Sequence, residues 1–371
     1  MQKAESTADE AKHFHLPEGF HAELYAAEPD IIKPIAMNFD ERGRPWILES
    51  IDYPNNVLSN PQENGNDRIV ICEDTQGRGR ADKFTVFADK LNIPTGLAFA
   101  RGGVIVCASP HLVFLKDSSG GDKSDFREVL LTGFGRGDTH GTHSNLHYGL
   151  DNWMYGSVGY DGGRVTAGGV RHSFRQGYFR FKTDGSAFEP LTTTSNNTWG
   201  LGLSESGDVF GSTANGEHSI YMAIPNRFYE AVRGWHGNGS MSIEDHKKIH
   251  PVTDDVRQVD HFGGFTAAAG HELYTARSFP REYWDKAAFV CEPTGHIVHL
   301  DWLVPQGAGF VAKDGFNLLA SEDAWTSPIS AQVGPDGAVW VLDWYSPVVQ
   351  HNPTPHGFKT GAGAAYETPL R

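Results

Sequence analysis

The chain has no apolar run approaching the roughly 18 to 20 residues that a membrane-spanning helix requires, and its start, MQKAESTADEAKHF, has no hydrophobic signal core. Export would therefore need a leader removed beforehand. It has no long stretch of helical period, which excludes a helical enzyme, and no C-x-x-C-H, which excludes covalent c-type haem. Basic runs are missing too. With 31 Lys and Arg against 46 Asp and Glu, the formal charge of −15 disfavours nucleic acid and anionic membrane as partners and leaves neutral or cationic ones. Cysteine is scarce. Cys72, Cys107 and Cys291 stand singly inside apolar β runs (IVIC, VIVCAS, FVCE), the setting of buried thiols and not of a disulfide framework.

What the chain does have is a hairpin sentence of about seventeen residues, repeated with variations: IKPIAMNFDERGRPWILES, IPTGLAFARGGVIVCAS, HSNLHYGLDNWMYGSVG, NTWGLGLSESGDVFGST and SPISAQVGPDGAVWVLD. Each is an apolar strand, a Gly/Asn/Asp turn and a second apolar strand. The turn residues Gly43, Gly102, Asn152, Gly207 and Gly337 lie 59, 50, 55 and 130 positions apart. The last gap, about twice the others, predicts a divergent copy between Phe265 and Glu292 with an insertion around Arg277 to Lys286. Six units of this length predict an all-β, six-bladed β-propeller of four-stranded antiparallel blades, with stacked β-sandwiches as the alternative. Residues 1–15 read as an N-terminal extension and 16–371 as one propeller domain, short at its carboxyl end. The segment HAELYAAE near His21 is expected to pair as a closing strand.

In such a fold both ends of each first hairpin open on one face around the central channel. Pro34, His143, Thr198 and Pro328 are equivalent entries, and Glu49, Ser109, Gly159, Thr213, Glu292 and Asp343 are exits. The segment GRGDTHGTHSNLHYG gathers Asp138, His140, His143 and His147. His140 and His143 have the His-x-x-His spacing of a metal pair with Asp138 nearby, but one histidine held by Asp138 also serves as a general base, and a structural hydrogen-bonding role stands beside both. His143, Asn145 and His147 should share one face of a regular strand. Asn196, Asn197 and Thr198 offer amides and a hydroxyl at the rim, or cap local turns. Asp52 and Tyr53 should meet Asp343, Trp344 and Tyr345 across neighbouring blades. That pairing of aromatic faces and carboxylates suits a sugar, with Glu292, Trp235 and His236 adding to the rim. Trp46, Trp199 and Trp340 read as core. EDTQGRGRADKF has the outline of a calcium loop, but Gln76 and Arg78 replace acidic ligands, so the turn is expected without the ion.

The stretches HSNLHYGLDNWMYG, SNNTWGLGLSESGDVFGSTAN, FTAAAGHELYTARSFPREYW, FVCEPTGHIVH and VGPDGAVWVLDWYSPVVQHNP resemble the membrane-bound dehydrogenase propellers of Pirellula and Verrucomicrobium-type bacteria. The opening LPEGFHAELYAAEP extends the resemblance over nearly the whole chain. More distantly, the chain is similar to soluble sugar dehydrogenases that use pyrroloquinoline quinone and a divalent ion such as Ca2+. That likeness implies an exported, periplasmic protein that oxidises a sugar or polyol hydroxyl. It places His143, or else His140, as the base and Asn196 and Asn197 against the quinone, and Thr198 and Asp343 read as further positioning groups beside them. The family has an arginine where this chain has Asn196, and Arg277, Arg281 or Arg257 would compensate. A c-type haem acceptor would sit on another domain or chain. The alternatives are a non-redox carbohydrate lyase or hydrolase using His143 or His140 with Asp343 and Glu292, and a glycan- or protein-binding propeller.

Overall fold

A computed structural model describes residues 3–349 apart from 54, 56, 61, 63, 236–238, 257, 259–261 and 348. Five antiparallel sheets follow one another around an axis. Blade A comprises Pro34–Phe39, Pro45–Glu49, Asp67–Glu73 and Lys83–Leu91, and blade B comprises Gly96–Ala100, Gly103–Ala108, His111–Lys116 and Phe126–Thr132. Blade C is built from His143–Tyr148, Met154–Val158, Gly177–Phe181 and Phe188–Thr193, with a separate hairpin, Gly163–Ala167 and Val170–Phe174, inserted between its second and third strands. Thr198–Leu203, Val209–Thr213, Ile220–Met222 and Ser240–Ser242 make blade D. Blade E is Ala269–Leu273, Ala287–Glu292, Ile297–Gln306 and Gly309–Ser321, and Phe14–His15 adds a fifth strand to its outer edge.

The expectation of six four-stranded blades is corrected to five. Where a sixth would stand, between blades E and A, the hairpin Pro328–Val333 and Val339–Asp343 forms a two-stranded sheet among the described residues. Closure is also different. Residues 21–27 form no strand. Instead Tyr25, Ala26 and Ile31 pack with Ile329, Trp340 and Leu342 of that hairpin and with Met37 of blade A, and Tyr25 meets Trp340 edge to face at 4.7 Å. Apolar packing, not strand pairing, joins the last sheet to the first.

The hairpin reading rests on its turns, and Gly43, Gly102, Asn152, Gly207 and Gly337 all adopt positive φ between 61° and 85°. That left-handed conformation is what selects glycine or asparagine there. Apolar residues of adjacent sheets interleave: Trp46, Leu48 and Ile69 of blade A lie against Leu97, Val106 and Val113 of blade B, and Phe114 and Leu112 of B against Met154 and Phe179 of C. All three cysteines are buried free thiols in these layers.

Five of the six innermost strands change register near their entry, at Pro34/Ala36, Ser144/His147, Thr198/Gly200, Ala269/Glu272 and Pro328/Ser330. These bulges supply the extra twist that strands need near a propeller axis. In blade C the bulge puts Asn145 at φ 52°, so His143, Asn145 and His147 do not share one face as a regular strand would require.

Candidate functional site

The entry and exit ends of the innermost hairpins surround the channel mouth, and the loop from Gly133 to Thr142 brings His140 to it. Asp161 holds this loop by accepting from the Asp138 N–H at 3.0 and 3.1 Å. Asp138 then caps the next turn, its Oδ1 accepting from the His140 N–H at 2.9 Å and lying 3.2 Å from His140 Nδ1. On the other side of the ring, Nε2 is 2.8 Å from the Tyr53 hydroxyl, contributed by the loop after the first hairpin of blade A. Tyr53 in turn meets the Trp344 ring edge to face at 5.2 Å. A carboxylate, an imidazole and a phenol are thereby in line, with an indole beside the phenol.

The two loops are tied to each other independently, since Thr139 Oγ1 accepts from the Val57 N–H at 3.1 Å and donates to the Asn55 carbonyl at 3.2 Å. Asn197 braces the same loop, donating to the His140 carbonyl at 3.0 Å and accepting from the Tyr160 N–H at 2.9 Å. Asn196 accepts from the Asn197 N–H at 2.6 Å and from the Tyr160 hydroxyl. Thr198 is buried and bonded to Thr194 at 2.8 Å. The three residues expected to face a cofactor are thus engaged in holding the loops of the mouth.

His143 has a different setting from the one expected of a base. It is fully buried and stacked on Phe134 at 3.9 Å. Its Nδ1 lies 3.2 Å from Ser109 Oγ and its Nε2 3.0 Å from the His111 carbonyl. Burial pushes its pKa down to about 3, so it stays neutral. Asp138, His140 and His143 do not converge on one point, because the two rings serve different partners.

The exit carboxylates repeat one structural device. Glu49 accepts from the Ile32 N–H at 2.8 Å, Glu292 from Thr266 and Ala267 at 2.8 and 2.9 Å, and Asp343 from Ser327 and Tyr345 at 2.7 and 2.8 Å. Each clips the chain entering an innermost strand to the exit of that hairpin, so Glu292 and Asp343 act as buried clips. Burial raises the pKa of both. Glu10 of the N-terminal helix Thr7–Glu10 lies beside Asp343, and burial together with that neighbour pushes its carboxyl up to about 9. Tyr345 donates to Asp323 at 2.9 Å and accepts from the Glu5 N–H at 2.8 Å, joining the N-terminal segment to the mouth. Asp52 folds its own loop by accepting from both Asn66 nitrogens at 2.8 and 2.7 Å.

Two further expectations fall on the opposite face. Arg277 lies in the turn of the first blade E hairpin, paired with Glu205 of the blade D turn at 2.7 and 2.8 Å, so it cannot compensate at the mouth. Trp235 follows Met222, which pairs with the turn-end residue Val209, and it stacks on Tyr229 at 5.8 Å in solvent. His236 and Arg257 lie outside the described residues. In the Glu73–Phe84 loop, Asp74 accepts from Gln76 and Gly79 and Asp82 accepts from Thr75, so its carboxylates close the turn themselves.

The quinone of the resembled dehydrogenases carries three carboxylates, and binding it calls for charge-assisted donors. Lys33 donates to the carbonyls of Ile51 and Tyr53 at 3.1 and 2.7 Å, Arg68 pairs with Glu49, and Arg136 is engaged as well. Asp138 and Asp323 bring further carboxylates to this side. A tricarboxylate quinone bound here would have to displace the protein partners of these cations. Sequence reading missed the Tyr53–His140 contact, whose only signal was an aromatic after one hairpin and a histidine before another.

Fold and site define a β-propeller with a hydrogen-bonded Asp–His–Tyr group at its channel mouth. Solved structures share that architecture. A protein from Thermus thermophilus titled an oxidoreductase (glucose dehydrogenase) superposes with a TM-score of 0.53 at 16% identity, over 84% of this chain and 90% of that one. The holo pyranose dehydrogenase PQQ domain of Coprinopsis cinerea gives 0.53 at 13%, over 89% and 94%. The PQQ-bound aldose sugar dehydrogenase of Streptomyces coelicolor gives 0.52 at 14%, over 88% and 92%. At these identities the likeness shows the fold. Residues 6–368 match the family described as a domain of unknown function, DUF7133, and the chain belongs to it. No curated protein matches the sequence. Among the described residues no helix is long and apolar enough to cross a membrane.

Proposed function

We propose that the channel mouth binds a neutral polyhydroxyl compound, a sugar or polyol, and that His140 exchanges a proton with one of its hydroxyls. The observation that carries this reading is the line of Asp138, His140 and Tyr53, with His140 Nε2 2.8 Å from a phenol that a ligand hydroxyl can replace or extend. Asp138 orients the ring, as a carboxylate behind a catalytic histidine does. Tyr53 offers an apolar face to a pyranose-like ring, with the buried Trp344 packed against it. The architecture shared with sugar dehydrogenases supports a reading in which the hydroxyl is oxidised; a c-type haem protein as electron acceptor and an exported, periplasmic setting complete that proposal.

A second reading keeps the same histidine and ligand class without redox chemistry. The mouth's cations, already paired and so a poor match to a tricarboxylate cofactor, favour it, as does the shared fold with a protein titled a gluconolactonase (TM-score 0.50, 13% identity, 89% and 91% covered). One experiment separates the two. Dye reduction by a panel of sugars and polyols, with and without added quinone and calcium, is run beside assays for lactone hydrolysis and for formation of an ultraviolet-absorbing double bond. Dye reduction abolished in His140→Ala supports the dehydrogenase reading, and non-redox turnover abolished in that variant supports the other. Turnover unaffected by the substitution overturns the role of His140.

A further inference from the structure

Between blades D and E two overlapping groups of side chains come together, His218, His246 and Asp301 in one and His246, His299 and Asp314 in the other, with His246 shared. His218 precedes the third strand of blade D, and His246 lies on the connector that leaves that blade. His299 and Asp301 are i, i+2 neighbours on the third strand of blade E, hence on one face, and Asp314 is opposite Asp301 on the fourth strand. His218, His299 and Asp301 are no more than 1% exposed, His246 is 11% exposed, and Asp314, at 38%, faces solvent. Nothing in the sequence motifs predicted this group. Its members are spread over about a hundred residues.

The polar atoms here have no hydrogen-bond partners among the described residues. That holds for both nitrogens of His218 and of His246, for His299 Nε2, and for both carboxylate oxygens of Asp301. A buried carboxylate with neither oxygen bonded is costly unless a cation compensates it. The neighbours also determine what His299 presents. Asn317 Nδ2 donates to the His250 carbonyl at 2.6 Å, so its Oδ1 faces His299 Nδ1, 3.3 Å away, as an acceptor. Nδ1 then carries a proton, and Nε2, which faces Asp301 and Asp314, is left to carry a second proton or to bind a cation. Either one sets a positive charge against the two carboxylates.

The spacing supplies the missing partner. His218 Nε2 is 3.2 Å from Asp301 Oδ2, His299 Nε2 is 3.4 Å from Asp301 Oδ1, and His246 Nε2 is 3.8 Å from the same oxygen. Asp314 Oδ1 is 3.5 Å from both His246 Nε2 and His299 Nε2. Ligand bonds of about 2.0–2.1 Å around a tetrahedral ion place the ligand atoms roughly 3.3–3.4 Å apart. These separations match ligand edges around such an ion.

We propose that His218, His246, His299 and Asp301, with Asp314 on the solvent side, form a binding site for a divalent first-row transition ion of the zinc type that joins blade D to blade E. Three imidazoles with carboxylate suit zinc, and calcium and magnesium prefer all-oxygen sites. Phe265 stacks on His218 at 4.0 Å and helps to set the ring plane. Because two ligands come from blade D and its connector and three from blade E, loading the ion should raise the melting temperature.

The test uses the whole chain, stripped with a chelator and dialysed. Titration with ZnCl2 followed by calorimetry and elemental analysis should give one equivalent per chain and a higher Tm. Cobalt(II) at the same site should show the visible absorption of a four- or five-coordinate, imidazole-bound ion. The double variant His299→Gln, Asp301→Asn should lose that equivalent, whereas Asp138→Asn should keep it. Failure of the folded, stripped protein to take up zinc, cobalt, nickel, manganese or iron(II) stoichiometrically overturns the proposal, and so does uptake that the double variant leaves unchanged. If the double variant does not fold, the cobalt spectrum of the stripped native chain decides. A six-coordinate, water-like spectrum counts against the site.

Discussion

The Tyr53 hydroxyl and His140 Nε2 lie 2.8 Å apart although 87 positions separate them in the chain. One comes from the loop after the first hairpin of blade A and the other from the loop that enters blade C, so the contact exists only when the mouth is assembled. His140→Ala should lower turnover about 100-fold or more, the usual share of a positioned acid/base, while leaving the unfolding midpoint nearly unchanged. Tyr53→Phe should lower it less and alter the pH profile. Initial rates against pH for the three proteins check this.

His143 should behave in the opposite way. Burial lowers its pKa to about 3 in the fold, so the unfolded chain takes up a proton that the native state refuses between about pH 6.5 and 3. Its contribution to stability is therefore complete above pH 6.5 and is lost as the pH falls. The stability advantage of the native chain over His143→Gln should shrink by about 1.4 kcal/mol per pH unit below that point. Urea denaturation at several pH values measures it, and activity per folded molecule should survive the substitution.

Glu10 gives the reverse sign. Its carboxyl is pushed up to about 9 by burial and by Asp343, so the native state holds a proton that the unfolded chain releases above about pH 4.5. Stability from this group falls as the pH rises toward 9. Glu10→Gln needs no proton, so its stability relative to the native chain should climb steadily between pH 5 and 9 in thermal melts. A constant difference would refute the buried pairing with Asp343.

Glu292→Ala should cost about 2–4 kcal/mol of unfolding free energy, because the Thr266, Ala267 and Thr294 N–H groups that its carboxylate holds would be left without an acceptor. Glu292→Gln should recover part of that loss, since an amide oxygen still accepts. Denaturant titration distinguishes this clip from a catalytic acid, for which the glutamine variant would be stable and inactive.

Arg277→Ala should change neither ligand binding nor turnover. The residue is on the turn face, and its exposed pair with Glu205 contributes little once solvent screens it. A large loss of activity would place a ligand on that face.

How much of this was legible depended on range. Gly43, Gly102, Asn152, Gly207 and Gly337 announced their hairpins because a left-handed turn residue and its flanking apolar strands are adjacent in the chain. Blade number was harder to read, since the last hairpin has the same signature as the others yet pairs with no third strand among the described residues. His143 looked like a base because it begins a strand at the mouth, but the bulge after Ser144 and the approach of Phe134, Ser109 and His111 turn it into the wall. Glu49, Glu292 and Asp343 looked like a ring of acids for the same reason. Whether a carboxylate at a strand end faces solvent or a backbone N–H depends on a loop from another part of the chain.

The sequence by itself determined the all-β repeat, the buried thiols, the acidic charge and the face on which the loops gather, because each follows from side-chain polarity and turn conformation over a few residues. Only the tertiary structure decided that His140 meets Tyr53, that Asn197 braces its loop, and that His218, His246, His299, Asp301 and Asp314 come together between two blades. Those relationships depend on how neighbouring blades pack and where a bulge rotates a strand. Such packing sums many weak apolar contacts between distant segments, and no local pattern encodes it.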